Sequence, residues 1–225
     1  GYTAVVVCTL PIIFLRTGFR LRIDIARDLF LFGWPNIFSS IAYWILQLSD
    51  RYLLSIFGSL TQTASYTIAY TLGGAVAPVL LGPFSLAWPP IMYEIAKKEN
   101  SAHTFQVVFR WFVIVLLFTT FGLSLLSNAL LNLLFPASYH SVGPLIPIIA
   151  LSYLFYGVYN MFMIGVYIRR RMSFNIMFMA FSALVNFGLN IFLIPHYGAL
   201  GAAIATLLAY IFLATIAYIV NQRIY

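Results

Sequence analysis

The chain has 225 residues, of which 63% are hydrophobic and only 8% are charged. A soluble domain carries roughly a quarter charged residues, so this composition excludes a sizeable water-soluble domain and indicates an integral membrane protein. The formal net charge of +7 would suggest nucleic acid as a partner of a soluble protein, but in a membrane protein basic cytoplasmic loops explain it better.

The chain opens on an apolar run at residues 2–15. This run is too short to cross a bilayer alone and has no basic segment before it, so we expect the end of a helix that starts upstream rather than a signal peptide. The basic segment RTGFRLRIDIARD follows. We therefore expect a fragment with a truncated transmembrane helix at 1–15, a cytoplasmic linker at 16–28 and a membrane lobe at 29–225.

Six apolar segments follow the linker, each long enough for a transmembrane helix. Short stretches rich in turn residues separate them: FGSLTQT, KKENSAH, FPASYHSVGP, RRRM and PHYG. The predicted fold is all-α and integral to the membrane. It has six complete transmembrane helices plus the truncated one, and the complete helices are predicted at 29–57, 64–93, 104–135, 141–168, 172–194 and 199–220.

The basic residues sort onto one side when these predicted helices alternate in direction. All 12 Lys and Arg residues except Arg51 fall on the side of the linker and the C-terminus. Because cytoplasmic loops are enriched in Lys and Arg, we expect a multi-pass protein with this side, including the C-terminus, in the cytoplasm.

The first complete predicted helix carries an acid and a base side by side, Asp50 and Arg51. Successive helical residues point about 100° apart, so we expect the two to have different partners. Counting from Trp34 as an interfacial anchor leaves Asp50 in the hydrocarbon core, whereas counting from Leu29 places it among the outer headgroups; both remain open. Steps of three and four residues back from Asp50 give a polar stripe of Gln47, Tyr43, Ser40 and Asn36.

Two later predicted helices repeat this pattern. Amide and hydroxyl side chains in a bilayer core turn towards other helices or a wet cavity. Interhelical hydrogen bonding and a shared polar interior both remain open for each residue, although several stripes in one bundle favour a shared interior. The stripes are Ser152, Tyr156 and Asn160 in one helix, and Asn175, Ser182, Asn186 and Asn190 in the next.

Two further segments predict how the helices pack. Gly201, Ala205 and Ala209 recur every four residues, a spacing of small residues that lets helix backbones approach closely. The segment LGGAVAPVLLGPFSLAWPP at 72–90 predicts a bent helix, which either lines a binding cavity or is a kink stabilised by packing.

Metal sites and cofactors are not predicted. Cys8 is the single cysteine and lies in an apolar segment, so neither a disulfide framework nor a cysteine-based metal site is expected. The histidines lie in three different loops, at His103, His140 and His196.

Three blocks in this order, DRYLLSIFGSLTQTASYTIAY, WPPIMYE and IPHYGALGAAIATLLAY, resemble the Wzx-like polysaccharide and O-antigen flippases. These form the polysaccharide transport branch of the multidrug/oligosaccharidyl-lipid/polysaccharide exporter superfamily, and the resemblance covers about residues 29–220. The matching residues are Asp50, Arg51, Gly58, Ala64, Tyr66, Ala69, Pro89, Pro195, Gly198, Gly201, Ala202, Ala203 and Thr206.

The resemblance implies a two-lobe, MATE-like fold of which this chain is the second lobe, so the partners would be the bilayer and a missing N-terminal lobe. The implied substrate is a polyprenyl-diphosphate-linked oligosaccharide, flipped across the bacterial cytoplasmic (inner) membrane by alternating access for O-antigen and lipopolysaccharide synthesis. The implied protein is a transporter and not an enzyme. The candidate cavity or gate residues are Asn36, Tyr43, Gln47, Asp50, Arg51, Tyr66, Arg110, Tyr156, Asn160, Asn186 and Asn190.

Three alternatives remain open. A multidrug or cation exporter of the same superfamily would use acidic cavity residues, but Asp50 is the only carboxylate within the predicted complete helices and Glu94 lies at the edge of one. A membrane polysaccharide polymerase or ligase would need catalytic groups at an outer surface, where the loops are short. A truncated lobe without activity of its own is the third.

Overall fold

The computed structural model of the protein describes Thr9, Pro11 and residues 22–224. Most of the predicted truncated helix at 1–15 and the first part of the predicted linker lie outside the described residues. The chain divides into two compact units, Gly1–Pro35 and Asn36–Tyr225. The second, which we call the larger unit, contains most of the chain.

All regular structure in the described part of the chain is helical, so the predicted all-α class is confirmed there. Seven α-helices, one π-helix and one 3-10 helix follow one another. In chain order they are α1 (Ile23–Phe57), α2 (Leu60–Gly73), the π-helix (Ala77–Leu81), α3 (Gly82–Ile95), α4 (Ser101–Leu134), the 3-10 helix (Ala137–Val142), α5 (Leu145–Phe162), α6 (Ile164–Ile168) and α7 (Ser173–Ile224).

Helix α1 begins at Ile23, before its predicted start at Leu29, so part of the predicted linker is helical. Asp24 lies in the first turn, where a negative charge is stabilised by the exposed N–H groups of the helix. Its carboxylate also accepts a hydrogen bond from Arg22 Nη2 at 2.6 Å. A run of charges was therefore a poor guide to where the helix starts.

The Gly- and Pro-rich segment interrupts the second predicted span. Helix α2 begins at Leu60, capped by the Ser59 side chain, and ends at Gly73. A π-helix and then α3 follow, and α3 contains Pro89 and Pro90. Because proline has no N–H to donate, carbonyls one turn earlier lose their usual partner. The predicted break in this span is present.

Gly73 allows α2 to approach α5 closely. A Cβ atom at this position would lie 2.8 Å from the Ile146 carbonyl oxygen and 2.8 Å from Ile149 Cβ. Real Cβ contacts are longer than this, so any side chain here would push the two helices apart. The close contact requires glycine.

Helix α7 reverses direction at Gly198, whose φ of 53° and ψ of −131° are not helical. We call residues 173–197 the first arm and residues 199–224 the second arm. Ser182 Oγ on the first arm donates to the Ala209 carbonyl on the second at 2.8 Å, so the arms lie side by side. A side chain at Gly201 would overlap the Leu193 carbonyl. The predicted docking of the small-residue helix is confirmed, and its neighbour is the first arm.

Helix α5 joins two hydrophobic cores in the larger unit. One core lies mainly among α2, α3, α4 and α5 and includes Met92, Leu116 and Ile149. The other lies mainly among α1, α5 and α7 and includes Leu46 and Phe178. Helices α1, α5 and α7 contribute residues to both cores.

Four elements in the described residues are long and apolar enough to cross a membrane. The count of six spans therefore stays a prediction. The four elements are Leu60–Ile95, Ser101–Leu134, Leu145–Ile168 and Ser173–Arg223.

One end of the larger unit carries many of its basic residues, and we call it the basic end. Tyr93 Oη donates to the Tyr167 carbonyl at 3.2 Å, which brings the ends of α3 and α6 together. The Gly165 N–H donates to Asn221 Oδ1 at 3.0 Å, which adds the end of the second arm. The basic residues that follow these contacts are Lys97, Lys98, Arg169, Arg170, Arg171 and Arg223. This clustering agrees with the predicted charge sorting, while the side of the membrane stays a prediction.

Candidate functional site

Asp50 is fully buried in the larger unit, with 0% of its surface exposed. Tyr66 Oη from α2 donates to its Oδ2 atom at 2.5 Å, and the Arg51 N–H donates to its Oδ1 atom at 2.7 Å. Both carboxylate oxygens thus have a donor, which is what a buried acid requires.

Arg51 has a different partner from Asp50. Its guanidinium carbon lies 4.3 Å from the centroid of the Tyr70 ring, a cation–π contact. Its Nε atom is buried and has no hydrogen-bond partner within the described part of the chain. The expectation that the acid and the base bind different neighbours is confirmed, and both neighbours lie on α2.

Gln47 connects three helices through tyrosine hydroxyls. Its Oε1 atom accepts a hydrogen bond from Tyr70 Oη on α2, and its Nε2 atom donates to Tyr43 Oη on α1. Tyr153 Oη on α5 lies 3.2 Å from the same amide. Tyr156 stacks on Tyr43 with ring centroids 5.3 Å apart. We call Gln47 and these four tyrosines the tyrosine cluster.

Tyr70 and Tyr153 were not among the predicted site residues. Tyr70 lies one turn after Tyr66, and Tyr153 lies close to the stripe of Tyr156. Helical spacing from the chosen residues would have found both. Most tyrosines in a membrane protein pack in the core or lie at the interface, so residue type alone does not single out these two.

A second buried group, which we call the asparagine cluster, joins α1 to both arms of α7. Asn186 Oδ1 accepts hydrogen bonds from Ser49 Oγ at 2.8 Å and Asn190 Nδ2 at 3.0 Å. Asn186 Nδ2 donates to Thr206 Oγ1 at 3.4 Å. Asn190 Oδ1 is buried without a partner among the described residues.

A cavity of about 280 Å³ opens beside the tyrosine cluster. Its volume is near the lower end of small-molecule pockets, roughly 300 Å³. Tyr43 belongs to both the cluster and the cavity, so the buried hydrogen bonds continue into the open space. The lining residues are Ser39, Ser40, Tyr43, Tyr156, Tyr159, Asn160, Tyr167, Asn175 and Met179, and none of them carries a full charge. Tyr167 lies near the basic end.

A second cavity of about 530 Å³ lies away from the basic end. The first two turns of α2, the end of the 3-10 helix with the start of α5, and the turn at Gly198 line it. None of the predicted site residues belongs to it.

The structure brings most of the predicted site residues together, in three groups. Two predicted residues are not placed in them. Arg110 is exposed on α4 and lines neither cavity, and the side chain of Asn36 lies outside the described residues. Tyr43, Gln47, Asp50, Arg51 and Tyr66 meet between α1 and α2, Tyr156 and Asn160 line the cavity, and Asn186 and Asn190 form the asparagine cluster.

Other stripe residues form interhelical or local bonds instead. Ser182 donates to the Ala209 carbonyl, and Ser152 donates to the Ile148 carbonyl of its own helix at 2.9 Å. Asn175 differs, because it accepts a hydrogen bond from Tyr159 and also lines the cavity. The two predicted roles of polar stripe residues therefore occur within the same helix.

No three His, Cys, Asp or Glu side chains among residues 22–224, Thr9 and Pro11 are close enough to share a metal ion. The chemistry that the described groups offer is neutral hydrogen bonding, aromatic stacking and one buried carboxylate beside one cation.

The asparagine cluster gives a first testable prediction. Asn186→Ala removes three hydrogen bonds at a buried position, so we expect the free energy of unfolding to fall by about 1–3 kcal/mol. Ser182→Ala on the same arm removes one bond and should cost less, about 0.6 kcal/mol. Unfolding midpoints in detergent, followed by tryptophan fluorescence, measure both. Equal effects of the two substitutions would contradict the described contacts of Asn186.

Comparison with known proteins connects the first part of the chain to polysaccharide synthesis. A family model described as "Polysaccharide biosynthesis protein" matches residues 3–96. No curated protein and no solved structure matches the chain. The matched stretch includes α1 and α2, and with them Gln47, Asp50, Arg51 and Tyr66. Over residues 3–96 the chain is therefore similar to a family of polysaccharide biosynthesis proteins.

Proposed function

We propose that this chain is part of a transporter that flips a polyprenyl-diphosphate-linked oligosaccharide across the bacterial cytoplasmic membrane by alternating access. The observation that carries the proposal is the position of the family match. The stretch similar to polysaccharide biosynthesis proteins contributes α1 and α2, which hold Asp50, Arg51 and most of the tyrosine cluster. A buried polar network in an apolar chain is costly, and it is typically retained where function needs it.

The cavity suits a neutral sugar. Hydroxyl and amide groups of Ser40, Asn160 and Asn175 line it, and these can donate to or accept from sugar hydroxyls. The lining also contains the aromatic side chains of Tyr43, Tyr156 and Tyr159, a residue type that can pack against the apolar face of a pyranose. The lining has no carboxylate to attract a cationic drug, which favours a glycan over the cation-exporter alternative.

The proposed architecture has six membrane crossings: α1, α2 with α3, α4, α5 with α6, and the two arms of α7. Each arm is about 38 Å long at about 1.5 Å per residue, which exceeds a hydrocarbon core of about 30 Å. Under this proposal the basic end lies in the cytoplasm, and a first lobe upstream of the linker completes the open side of the cavity.

Complementation tests the proposed function. The whole gene that encodes this chain is expressed in bacteria that lack their own flippase, and surface glycan is measured by lectin or antibody binding. Restored surface glycan is the expected result. Failure with every related glycan, together with export of a cationic dye, would favour the drug exporter. Restored chain elongation in a polymerase-deficient strain would favour the enzyme alternative.

The cavity lining gives a second prediction. Within the described residues Asn160 Nδ2 bonds only to the Tyr156 carbonyl one turn earlier, so Asn160→Ala should leave the fold intact. We expect glycan transport to fall about fivefold, the effect of losing one hydrogen bond of about 1 kcal/mol to the substrate. Flipping of a labelled lipid-linked oligosaccharide in proteoliposomes measures it.

Thr119→Ala is the matched control for this substitution. Thr119 Oγ1 also bonds to a carbonyl of its own helix, that of Val115, but it lines neither cavity. Transport should be unchanged in this variant. Equal losses in the two variants would show that the Asn160 effect does not come from the cavity.

A further inference from the structure

The turn between α6 and α7 holds a charged residue in a backbone conformation that favours glycine. Arg170 has a φ of 52°, the single positive φ outside glycine in the described residues. The Arg171 N–H bonds to the Val166 carbonyl at 3.0 Å, so Arg170 occupies the position after a helix end where glycine is usual. A non-glycine residue is strained there.

Strain of this kind persists where the side chain has a use. Arg169, Arg170 and Arg171 are all exposed. The only ion pair in the described part of the chain joins Arg22 to Asp24, so none of the three has a carboxylate partner there. Their charge is directed to solvent or to a ligand.

The surroundings add further positive charge and place it beside the cavity. Tyr167 lines the cavity and lies just before the three arginines. Its carbonyl accepts the hydrogen bond from Tyr93, which brings the end of α3 and the following Lys97 and Lys98 to the same place. The carboxylates of this region, Glu94 and Glu99, are exposed and fewer than the cations.

We propose that Arg169, Arg170 and Arg171 form a diphosphate-binding site at the mouth of the cavity. The guanidinium groups would hold the lipid diphosphate at the membrane surface while the attached sugar enters the uncharged cavity. Arginine suits this role because its planar group makes paired hydrogen bonds to phosphate oxygens, which lysine does not. The inference rests on the proposed function, because it takes the substrate's diphosphate as the ligand.

The experiment measures binding of polyprenyl diphosphate to the full-length protein in nanodiscs of neutral lipid. Phosphatidylglycerol, an anionic phospholipid, is the competing probe. The triple variant Arg169→Lys, Arg170→Lys and Arg171→Lys keeps the charge and therefore the membrane topology. We expect its affinity for polyprenyl diphosphate to be about tenfold weaker, since one hydrogen bond between charged groups is worth about that factor. Arg27→Lys, an exposed arginine that lines neither cavity, is the matched control and should bind as wild type.

Arg170→Gly separates the arginine's function from its structural role. Glycine relieves the strained φ, so we expect a higher unfolding midpoint together with weaker diphosphate binding. If Arg170 served only the turn, Arg170→Gly would raise the unfolding midpoint and leave diphosphate binding unchanged. That result would overturn the proposal.

Two other outcomes would also overturn it. One is a triple lysine variant that binds as tightly as wild type, which would mean that bare charge suffices. The other is phosphatidylglycerol competing as well as the diphosphate, which would mean ordinary phospholipid contact. The glycan complementation assay distinguishes failure of the diphosphate site from failure of the proposed function. If surface glycan is restored but diphosphate binding does not depend on the three arginines, only the proposed site is overturned. If binding depends on the arginines but surface glycan is not restored, only the proposed flippase function is overturned.

Discussion

Asp50→Ala is expected to lower the free energy of unfolding by about 3 kcal/mol, the cost of removing one partner from a buried charged hydrogen-bond group. The substitution leaves Tyr66 Oη and the Arg51 N–H without the acceptors they have at 2.5 Å and 2.7 Å. No water reaches a residue with 0% exposure to replace them. Chemical unfolding in detergent, followed by tryptophan fluorescence, measures the loss.

Asp50→Asn is the matched variant for this prediction. The amide oxygen of asparagine still accepts one of the two hydrogen bonds, so its unfolding free energy should fall less than that of Asp50→Ala. In a double-mutant cycle, Asp50→Ala and Tyr66→Phe should be coupled by more than about 0.5 kcal/mol. Additive effects of the two substitutions would mean that Asp50 and Tyr66 are not in contact.

Gly73→Ala is expected to lower the free energy of unfolding by about 1–3 kcal/mol, the usual cost of overpacking. The added methyl group would lie 2.8 Å from the Ile146 carbonyl oxygen and 2.8 Å from Ile149 Cβ. A carbonyl and a Cβ cannot rotate away, so α2 and α5 must separate. Separation would also disturb the Gln47 hydrogen bonds to Tyr70 and Tyr153.

Gly122→Ala and Gly188→Ala are the controls for this substitution. Neither position has an atom within 4 Å of an added Cβ, and alanine is the better helix former by about 1 kcal/mol. Both variants should therefore be as stable as wild type or more stable. Destabilisation by all three substitutions would point to a general intolerance of the bundle rather than to the contact between α2 and α5.

The polar stripes can be predicted from the sequence because a polar group in hydrocarbon must face a hydrogen-bond partner. Helical spacing alone therefore places Tyr43, Gln47 and Asp50 on one face of α1 and places Arg51 off that face. Spacing does not say which helix supplies the partner. Ser182 and Asn186 lie on one predicted stripe, yet Ser182 bonds to a carbonyl while Asn186 binds three side chains. That difference depends on how α1 and the two arms pack.

Other features depend on contacts between residues far apart in the chain. Nothing local to Gly73 indicates that Ile146 lies against it. Arg110 is predicted as an inner-gate contact from its place along α4, and the direction in which α4 packs leaves it exposed and outside both cavities. The predicted start of α1 at Leu29 is too late because the charged segment before it is interpreted as a linker, although Asp24 is favourable in a first turn.

The contact between Ser49 and Asn186 spans 137 residues, and this separation bears on how the chain enters the membrane. The ribosome makes α1 long before it makes either arm of α7. The Ser49 hydroxyl therefore lacks this hydrogen-bond partner, and lies in the insertion machinery or against other helices, until Asn186 has been translated. The asparagine cluster is consequently among the last contacts to form, and an arrest of synthesis before residue 186 would leave Ser49 without its asparagine partner.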